Sequence, residues 1–369
     1  MNRRAWADIE PAALAHNLGV ARRFAGDSRV IAVIKADAYG HGLQTALAAL
    51  DEADAFAVAT PGEGVALRRA GCTRPVMVLQ GFLDVRELRQ LARHRLQPVI
   101  HQAWQVDLLA ATRPGLPLAV WLKVDSGMHR MGLPITDVAD AFERLAACRH
   151  VQGRPGLMTH MACADEADAA ATEGQLAAFH QACRGMDGER SVANSASLMR
   201  FPESRMEWVR PGIMLYGCSP FVTPGPEADE LQPAMTLKTR LIAVQHYRKG
   251  ERVGYGATYA CPEDMPVGVA AIGYGDGYPR HARNGTPVLV NRRRVPLAGR
   301  VSMDSLTIDL RSVPDARPGD EVTLWGEGLP VHEVADWSDT IGYELLCAVG
   351  NRVERIVRKA PARERSGED

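Results

Sequence analysis

The sequence lacks any pair of cysteines at clamp or redox spacing. Seven occur in 369 residues, at Cys72, Cys148, Cys163, Cys183, Cys218, Cys261 and Cys347, and none forms a C-x-x-C. So odd and scattered a set excludes a disulfide framework and a cysteine-held zinc. No uncharged apolar run is long enough to span a bilayer, and Arg3, Arg4, Asp8, Glu10, Arg22 and Arg23 interrupt any signal-like stretch at the start. A cytoplasmic protein with no membrane partner is the expectation. An excess of either charge is missing too: 43 Lys and Arg against 44 Asp and Glu leave a net −1, so no bulk positive field exists to hold nucleic acid. The one basic run, Arg292-Arg293-Arg294, then reads as a solvated hairpin. H-E-x-x-H, G-x-S-x-G and G-x-x-x-x-G-K-[ST] are all absent, which removes the zinc-peptidase, serine-hydrolase and P-loop readings; no metal is expected.

What is present is an ordinary globular composition, 46% hydrophobic and 24% charged, in a chain long enough for one large domain and a smaller one. Between residues 28 and 220 short β-branched apolar runs alternate with helical patterns. The runs fall at 30–34, 55–59, 75–79, 97–100, 118–124, 156–160, 191–193 and 208–215, and the helices at 43–50, 63–70, 85–94, 104–111, 138–148 and 174–183. Thr60-Pro61-Gly62-Glu63 marks one helix start, with a Thr cap, Pro in the first turn and Glu three residues after the cap; Gly71 marks its end. Strands separated by helices pair in parallel, because each crossover must return along the sheet. Eight such units predict a closed (β/α)8 barrel over 11–222, with an open doubly wound sheet as the alternative. After Thr223-Pro224-Gly225-Pro226 helical periodicity largely disappears, and runs at 237–244, 267–272, 286–290 and 321–324 predict a mainly-β domain over 223–369. A strand at 4–9 is expected to join that second domain, a helix follows at 11–24, and the charged tail 359–369 is expected to fray.

The sharpest chemical signal is Val30-Ile31-Ala32-Val33-Ile34-Lys35 followed by Ala36-Asp37-Ala38-Tyr39-Gly40-His41-Gly42. A lysine ending an apolar strand is drawn to the mouth of the sheet, where low dielectric disfavours its charge and makes the amine a nucleophile. Gly40 and Gly42 allow close backbone approach, so a phosphate-bearing cofactor beside Tyr39 fits.

Residues 33–42 resemble the signature by which alanine racemases hold pyridoxal 5′-phosphate on a lysine. The resemblance runs on through Lys123-Val124-Asp125-Ser126-Gly127-Met128-His129-Arg130-Met131-Gly132, Thr159-His160-Met161, Ala193-Asn194-Ser195-Ala196 and Val209-Arg210-Pro211-Gly212-Ile213-Met214-Leu215-Tyr216-Gly217. In the second domain it includes Val253-Gly254-Tyr255-Gly256-Ala257-Thr258-Tyr259, Ala271-Ile272-Gly273-Tyr274-Gly275-Asp276-Gly277-Tyr278, Gly299-Arg300-Val301-Ser302-Met303-Asp304 and Gly342-Tyr343-Glu344. These segments span nearly the whole chain in the family's order.

The resemblance implies the interconversion of L- and D-alanine by two-base proton transfer, supplying or degrading D-alanine for the cell wall. Lys35 would carry the cofactor and serve one face of the substrate Cα, and Tyr255 the other face. In the family this tyrosine comes from the partner subunit, which implies a homodimer with shared sites. A phenol of ordinary pKa ~10 is a weak base at neutral pH, so cations beside it are required. Arg210 would face the pyridine nitrogen, where a permanent donor weakens the electron sink and restrains side reactions. Tyr39, Ser195, Gly212, Ile213 and Tyr343 would hold the phosphate, with Asn194 adjacent and His160 beside Arg210 or the ring. Arg130 would contact the cofactor's phenolic oxygen and the substrate carboxylate, which the Met303 amide would also bind. Tyr274, Asp304 and Tyr343 would line the entrance. Lys123 stands where some family members carry a carbamate, Ser302 where some carry Cys, and His129 where some carry Gly. The alternatives are a racemase of serine or of broader specificity, a decarboxylase of the same fold, and a non-catalytic cofactor carrier. Arg210 and Tyr255 count against the decarboxylase, and the retained second domain against the carrier.

Overall fold

The structure, a computed structural model, describes residues 4–223 and 225–358. Pro224 of the expected linker and the charged tail at 359–369 lie outside the described residues. Eight strands close into a parallel barrel: β2 (Arg29–Val33), β3 (Ala55–Val58), β4 (Val76–Val78), β5 (Gln97–Ile100), β6 (Trp121–Lys123), β7 (Gly156–Met158), β8 (Arg190–Ser191) and β9 (Trp208–Val209). Closure is by β2 on β9, where Arg29 pairs with Trp208 and Val30 with Val209. Because both faces of every strand are covered, the runs are apolar throughout, as Ala55–Val58 and Val76–Val78, all buried, illustrate. The expected cap at Thr60 forms: its side chain accepts from the Glu63 N–H, and the Glu63 carboxylate accepts from the Thr60 N–H in return.

Several expected strands are shorter than their apolar runs, 118–124 among them, which is a strand only over Trp121–Lys123. The run at 191–193 pairs only over Arg190–Ser191, and the run at 208–215 stops at Val209. Pro211, which has no N–H to offer a ladder, and Gly212 break the second run, and the chain turns into a 3-10 segment, Ile213–Tyr216.

Before the barrel, β1 (Ala5–Ile9) leads into the helix Pro11–Ala25. After it come β10 (Met235–Tyr247), β11 (Arg252–Val253), β12 (Tyr259–Ala260), β13 (Met265–Ala270), β14 (Pro287–Val290), β15 (Arg293–Pro296), β16 (Leu306–Asp309), β17 (Glu321–Trp325) and β18 (Glu354–Val357). The long β10 is the spine, pairing antiparallel with β1, β13 and β17, while β1 also pairs parallel with β18. The basic run turns the β14–β15 hairpin, with Asn291 and Arg292 at positive φ; Arg292 and Arg294 pair with Glu327 and Glu333. This half is not wholly β. The helices Val331–Asp336 and Gly342–Ala348 interrupt it, and the second carries Tyr343.

Two contacts fix the halves against each other. Buried Asn17 donates to the carbonyls of Leu215 and Gln232 and accepts from the Gln232 N–H. Arg355 on β18 donates to the carbonyls of Gly40, Val349, Gly350 and Val353, tying the segment after β2 to the second half. Among the described residues no helix is long and apolar enough to cross a membrane.

Candidate active site

Side chains of a strand alternate between its two faces, so the inward face of the barrel can be read upward from its floor. Ile31, Met77, Gln97, Trp121, Gly156 and Trp208 line a cavity of about 290 Å³ at the strand N-termini. Continuing the alternation brings Lys35, His101, Lys123, His160 and Arg210 to the C-terminal mouth. The mouth is where functional groups of this fold gather.

Arg210 is fixed there as a buried cation. Its Nη1 donates to Ser191 Oγ at 2.6 Å, and its Nη2 donates to the carbonyls of Thr159 at 2.6 Å and Val192 at 3.2 Å. All three acceptors are neutral. Desolvation brings its pKa down to about 10, so the charge survives at neutral pH. Burial, with Arg210, Lys123 and Arg130 behind it, pushes His160 well below the ordinary histidine range and leaves a neutral imidazole. Lys35 is half-buried; burial and then the Arg130 charge lower its pKa, the direction a nucleophilic amine needs. Lys123 is buried more deeply and is brought down to about 8 by burial, then by Arg210 and Arg130, against the opposing charge of Asp125.

Lys35 opens a turn of unusual hand. Ala36, Asp37, Ala38 and Tyr39 all have φ between +52° and +55°, a left-handed turn containing no glycine. For L-residues this costs roughly 1–2 kcal/mol each. The surroundings hold it: Glu63 Oε1 accepts from the Ala36 N–H at 2.8 Å, Asp37 Oδ1 accepts from the Leu43 N–H at 2.7 Å, and Arg355 takes the Gly40 carbonyl. His41, fully buried and held near pKa 4 by desolvation, donates from Nδ1 to the carbonyls of Tyr39 at 2.9 Å and Ala38 at 3.1 Å. Gly40 does provide a close approach, but to the protein itself. A Cβ there would stand 2.3 Å from the Leu346 carbonyl oxygen, so the expected close backbone approach at this glycine is to the second half of the chain.

The turn delivers Tyr39 to a cluster of donors. Its ring stacks on Tyr216 at 4.6 Å and lies 6.1 Å from Tyr343; burial pushes both Tyr39 and Tyr343 upward, so both hydroxyls keep their protons and can donate. Ser195 Oγ accepts from the N–H of Gly212 at 2.8 Å and of Met214 at 3.4 Å, and a Cβ on Gly212 would come within 2.7 Å of Tyr39 Oη. Ile213 opens the 3-10 turn, whose leading N–H groups have no acceptor within the turn. Asn194 is engaged in a cap. Its Oδ1 accepts from the Ser197 N–H, and its Nδ2 donates to the Met161 carbonyl, fixing the helix Ser195–Arg200 that presents Ser195.

Tyr39, Ser195 and the Gly212 turn offer hydroxyls and N–H groups with no lysine or arginine among them, a donor set that fits a phosphate. The lowered amine of Lys35 and the fixed charge of Arg210 fit the carbonyl and the ring nitrogen of pyridoxal 5′-phosphate.

The other expected site residues, Arg130, Tyr255, Tyr274, Met303 and Asp304, are exposed. Tyr255, in the turn Tyr255–Ala257, is 68% exposed, Met303 53% and Tyr274 42%. The Met303 loop is stitched to the Tyr274 turn by Tyr274 N–H to Ser302 O at 3.1 Å and Gly275 N–H to Met303 O at 2.9 Å. Asp304 accepts from Arg352 at 2.7 Å, and Arg352 lies 3.2 Å from Asp276. Arg130 is exposed on the loop after β6, where the Asp125 carboxylate is occupied by the N–H groups of Gly127 and His129. Besides burial, Arg130, Cys347 and Glu63 act on Lys35.

Sequence reasoning missed three neighbours of this site. Glu63 was legible as a cap, but its bond to Ala36 was not. His101 was detectable only by carrying the β5 alternation past Ile100. Cys347 lies in a helix too short to show periodicity.

Two family models match the chain: the N-terminal domain of alanine racemase over residues 9–220 and the C-terminal domain over 234–357. An alanine racemase of Nitrosococcus oceani is 53% identical over 352 residues, covering 95% of this chain and 98% of that protein. One of Halorhodospira halophila is 51% identical over 356 residues, covering 96% and 98%. Among solved structures, a biosynthetic alanine racemase from Pseudomonas aeruginosa superposes with a TM-score of 0.94 at 43% identity, covering 97% of this chain and 100% of that one.

Proposed function

This chain belongs to the alanine racemase family, and on that premise we propose that it interconverts L- and D-alanine with pyridoxal 5′-phosphate held on Lys35 and with Tyr255 of a second subunit opposite. An isomerase acting on alanine follows from the family. The observation that carries the finer reading is the meeting, at one barrel mouth, of a lysine of lowered pKa, a fixed guanidinium and a cradle of uncharged donors.

The cofactor, when bound, withdraws electrons from the substrate Cα and so acidifies its proton. Every other task falls to the chain. Tyr39, Ser195, Tyr343 and the N–H groups of Gly212 and Ile213 bind the phosphate. Arg210, which can only donate, keeps the ring nitrogen unprotonated and limits how much charge the ring takes up. Arg130 and the Met303 N–H orient the substrate carboxylate. Lys35 holds or releases the α-proton on one face. Tyr255 does so on the other, since inversion requires removal and delivery from opposite sides. Tyr274, Asp304 and Tyr343 restrict the entrance to a small side chain. The reading includes a homodimer with shared sites, which the exposure of Tyr255, Tyr274 and Met303 on the second half supports. Lys123, buried among Arg210, Arg130 and Lys35, is read as carrying a carbamate, which turns repulsion of Arg130 into attraction.

The test is incubation of the cofactor-loaded protein with L-alanine in heavy water, followed by chiral separation with mass detection. α-Deuterated D-alanine with its carboxyl intact is expected. Loss of the carboxyl, or no exchange at all, would overturn the reading.

A further inference from the structure

β5 and β6 are parallel neighbours, with Val99 opposite Trp121 and Ile100 opposite Leu122. Pairing ends there, and the next residues along the two segments are His101 and Lys123, following backbones that in paired strands run ~4.8 Å apart. Gln97 and Trp121 both line the cavity in the barrel floor, so alternation carries His101 and Lys123 to the same inward face.

His101 is held at its backbone N–H and at its ring Nε2. The His101 N–H donates to Gln105 Oε1 at 2.8 Å, and Gln105, itself buried, is anchored by donating to the Phe82 carbonyl at 2.9 Å. His101 Nε2 lies 3.1 Å from the Gln80 carbonyl. The Gln105 amide Nε2 lies farther off, at 3.4 Å; the shorter contact is to the carbonyl, which only accepts, and it favours the tautomer in which Nε2 carries the proton and Nδ1 presents its lone pair. That Nδ1 is buried and has no hydrogen-bond partner among the described residues. An orphaned buried acceptor is costly enough to call for an occupant. Lys123 is the charged group that acts on this ring, and burial together with that charge keeps the imidazole neutral. Lys123 in turn is surrounded by Arg210, Arg130 and Lys35, with only Asp125 opposing them. Nearby, His160 is neutral, burial keeps the Cys347 thiol protonated, and Glu63 is occupied by N–H groups of the Lys35 turn and its own cap.

We propose that His101 is the proton acceptor for carboxylation of Lys123 by carbon dioxide and the residue that then positions the carbamate; this rests on the reading of Lys123 given above. The Lys123 Nζ lone pair forms a bond to the carbon of CO2 as one C=O pair moves onto oxygen. The proton leaving Nζ passes to His101 Nδ1. The imidazolium then donates from both nitrogens, Nε2–H to Gln80 and Nδ1–H to a carbamate oxygen. The second carbamate oxygen is left for Arg130. Carboxylation extends the side chain by one carbon and two oxygens, toward a ring with which unmodified Lys123 makes no hydrogen bond.

The experiment follows the carbamate carbon by NMR in the holoenzyme under a series of ¹³C-labelled CO2 pressures at fixed pH, with Lys123→Met assigning the resonance. Cofactor absorbance and circular dichroism establish that each variant is folded, and His101→Gln is included in case His101→Ala is not. The expected result is a labelled carbamate in the parent protein whose half-saturating CO2 rises about tenfold or more in the folded His101 variants. A parent resonance whose half-saturation is unchanged in a folded His101 variant overturns the assignment of His101 and leaves Lys123 carboxylated. No resonance in the parent protein overturns the reading of Lys123 and, with it, the assignment of His101.

Discussion

Glu63 Oε1 lies 2.8 Å from the N–H of Ala36, the residue after Lys35, while Oε2 accepts from the N–H groups of Ala59 and Thr60. One carboxylate therefore closes its own helix cap and clamps the first residue of the left-handed turn. Removing it leaves three N–H groups without their acceptor and releases a backbone already at positive φ. Glu63→Ala is expected to cost about 2 kcal/mol of stability and to lower cofactor occupancy, because the turn sets the direction of both Lys35 and Tyr39. Thermal unfolding with and without cofactor, read beside the visible cofactor absorbance, checks this. An unchanged cofactor affinity would show that the clamp serves the helix alone.

Gly212 provides a steric test of the phosphate cradle. A Cβ there would meet Tyr39 Oη at 2.7 Å, with Val33 Cβ at 3.7 Å. Gly212→Ala should push the Tyr39 hydroxyl aside and raise the cofactor dissociation constant about tenfold or more, roughly 1.4 kcal/mol, while the barrel still folds. Titration of apoprotein with pyridoxal 5′-phosphate and, separately, with unphosphorylated pyridoxal distinguishes the sources. A loss confined to the phosphorylated form places the phosphate in this cradle, and an equal loss for both removes it.

The barrel was legible because each strand is an apolar run between helical patterns with caps and glycine stops, and local physics alone predicts those features. The overrun at 208–215 has a local cause as well: the apolar run continues through Pro211 and Gly212, but a residue without an N–H cannot continue a ladder. The left-handed turn was not legible. None of Ala36, Asp37, Ala38 and Tyr39 favours positive φ, and its hand is imposed by Glu63 from the next unit and by Arg355 from β18. Tyr343 was recognised by its motif and not as part of a helix, because the seven residues of Gly342–Ala348 are too few to establish a period. His101 required the register of β5 on β6, which no single segment encodes.

Lys123 should leave a signature in the pH dependence of stability. Its folded-state pKa is about 8, against ~10.4 for a lysine in an unfolded chain, so between those values the unfolded state binds more protons. Stability therefore rises with pH through that window and carries the full penalty below it. In CO2-free buffer the parent protein should gain up to about 3 kcal/mol relative to Lys123→Met between pH 8 and ~10.4. Urea unfolding of both proteins across the window measures this. Parallel curves would mean that Lys123 is already neutral or already paired.

Opposite faces of Cα demand opposite effects. If Tyr255 serves one face, Tyr255→Phe should bind cofactor normally and retain α-deuterium exchange from one alanine enantiomer while losing about 10²–10⁴-fold from the other. Separate incubations of each enantiomer in heavy water report this directly. Equal losses from both would remove the two-face assignment.

The exposure of Tyr255 on the second half of the chain makes the composition of the site testable by mixing. Chains carrying Lys35→Ala and chains carrying Tyr255→Phe are each defective alone. In a mixed dimer with shared sites, one site combines both defects, and the other combines the intact Lys35 of one chain with the intact Tyr255 of its partner. Random exchange places half of all chains in mixed dimers, so activity should return to about a quarter of the unsubstituted value. The measurement is racemisation after co-refolding or subunit exchange, with dimer content followed by light scattering. No recovery despite demonstrated mixed dimers would mean that Lys35 and Tyr255 act within one chain, and the exposed tyrosine would then have to reach the barrel mouth by movement of its own turn.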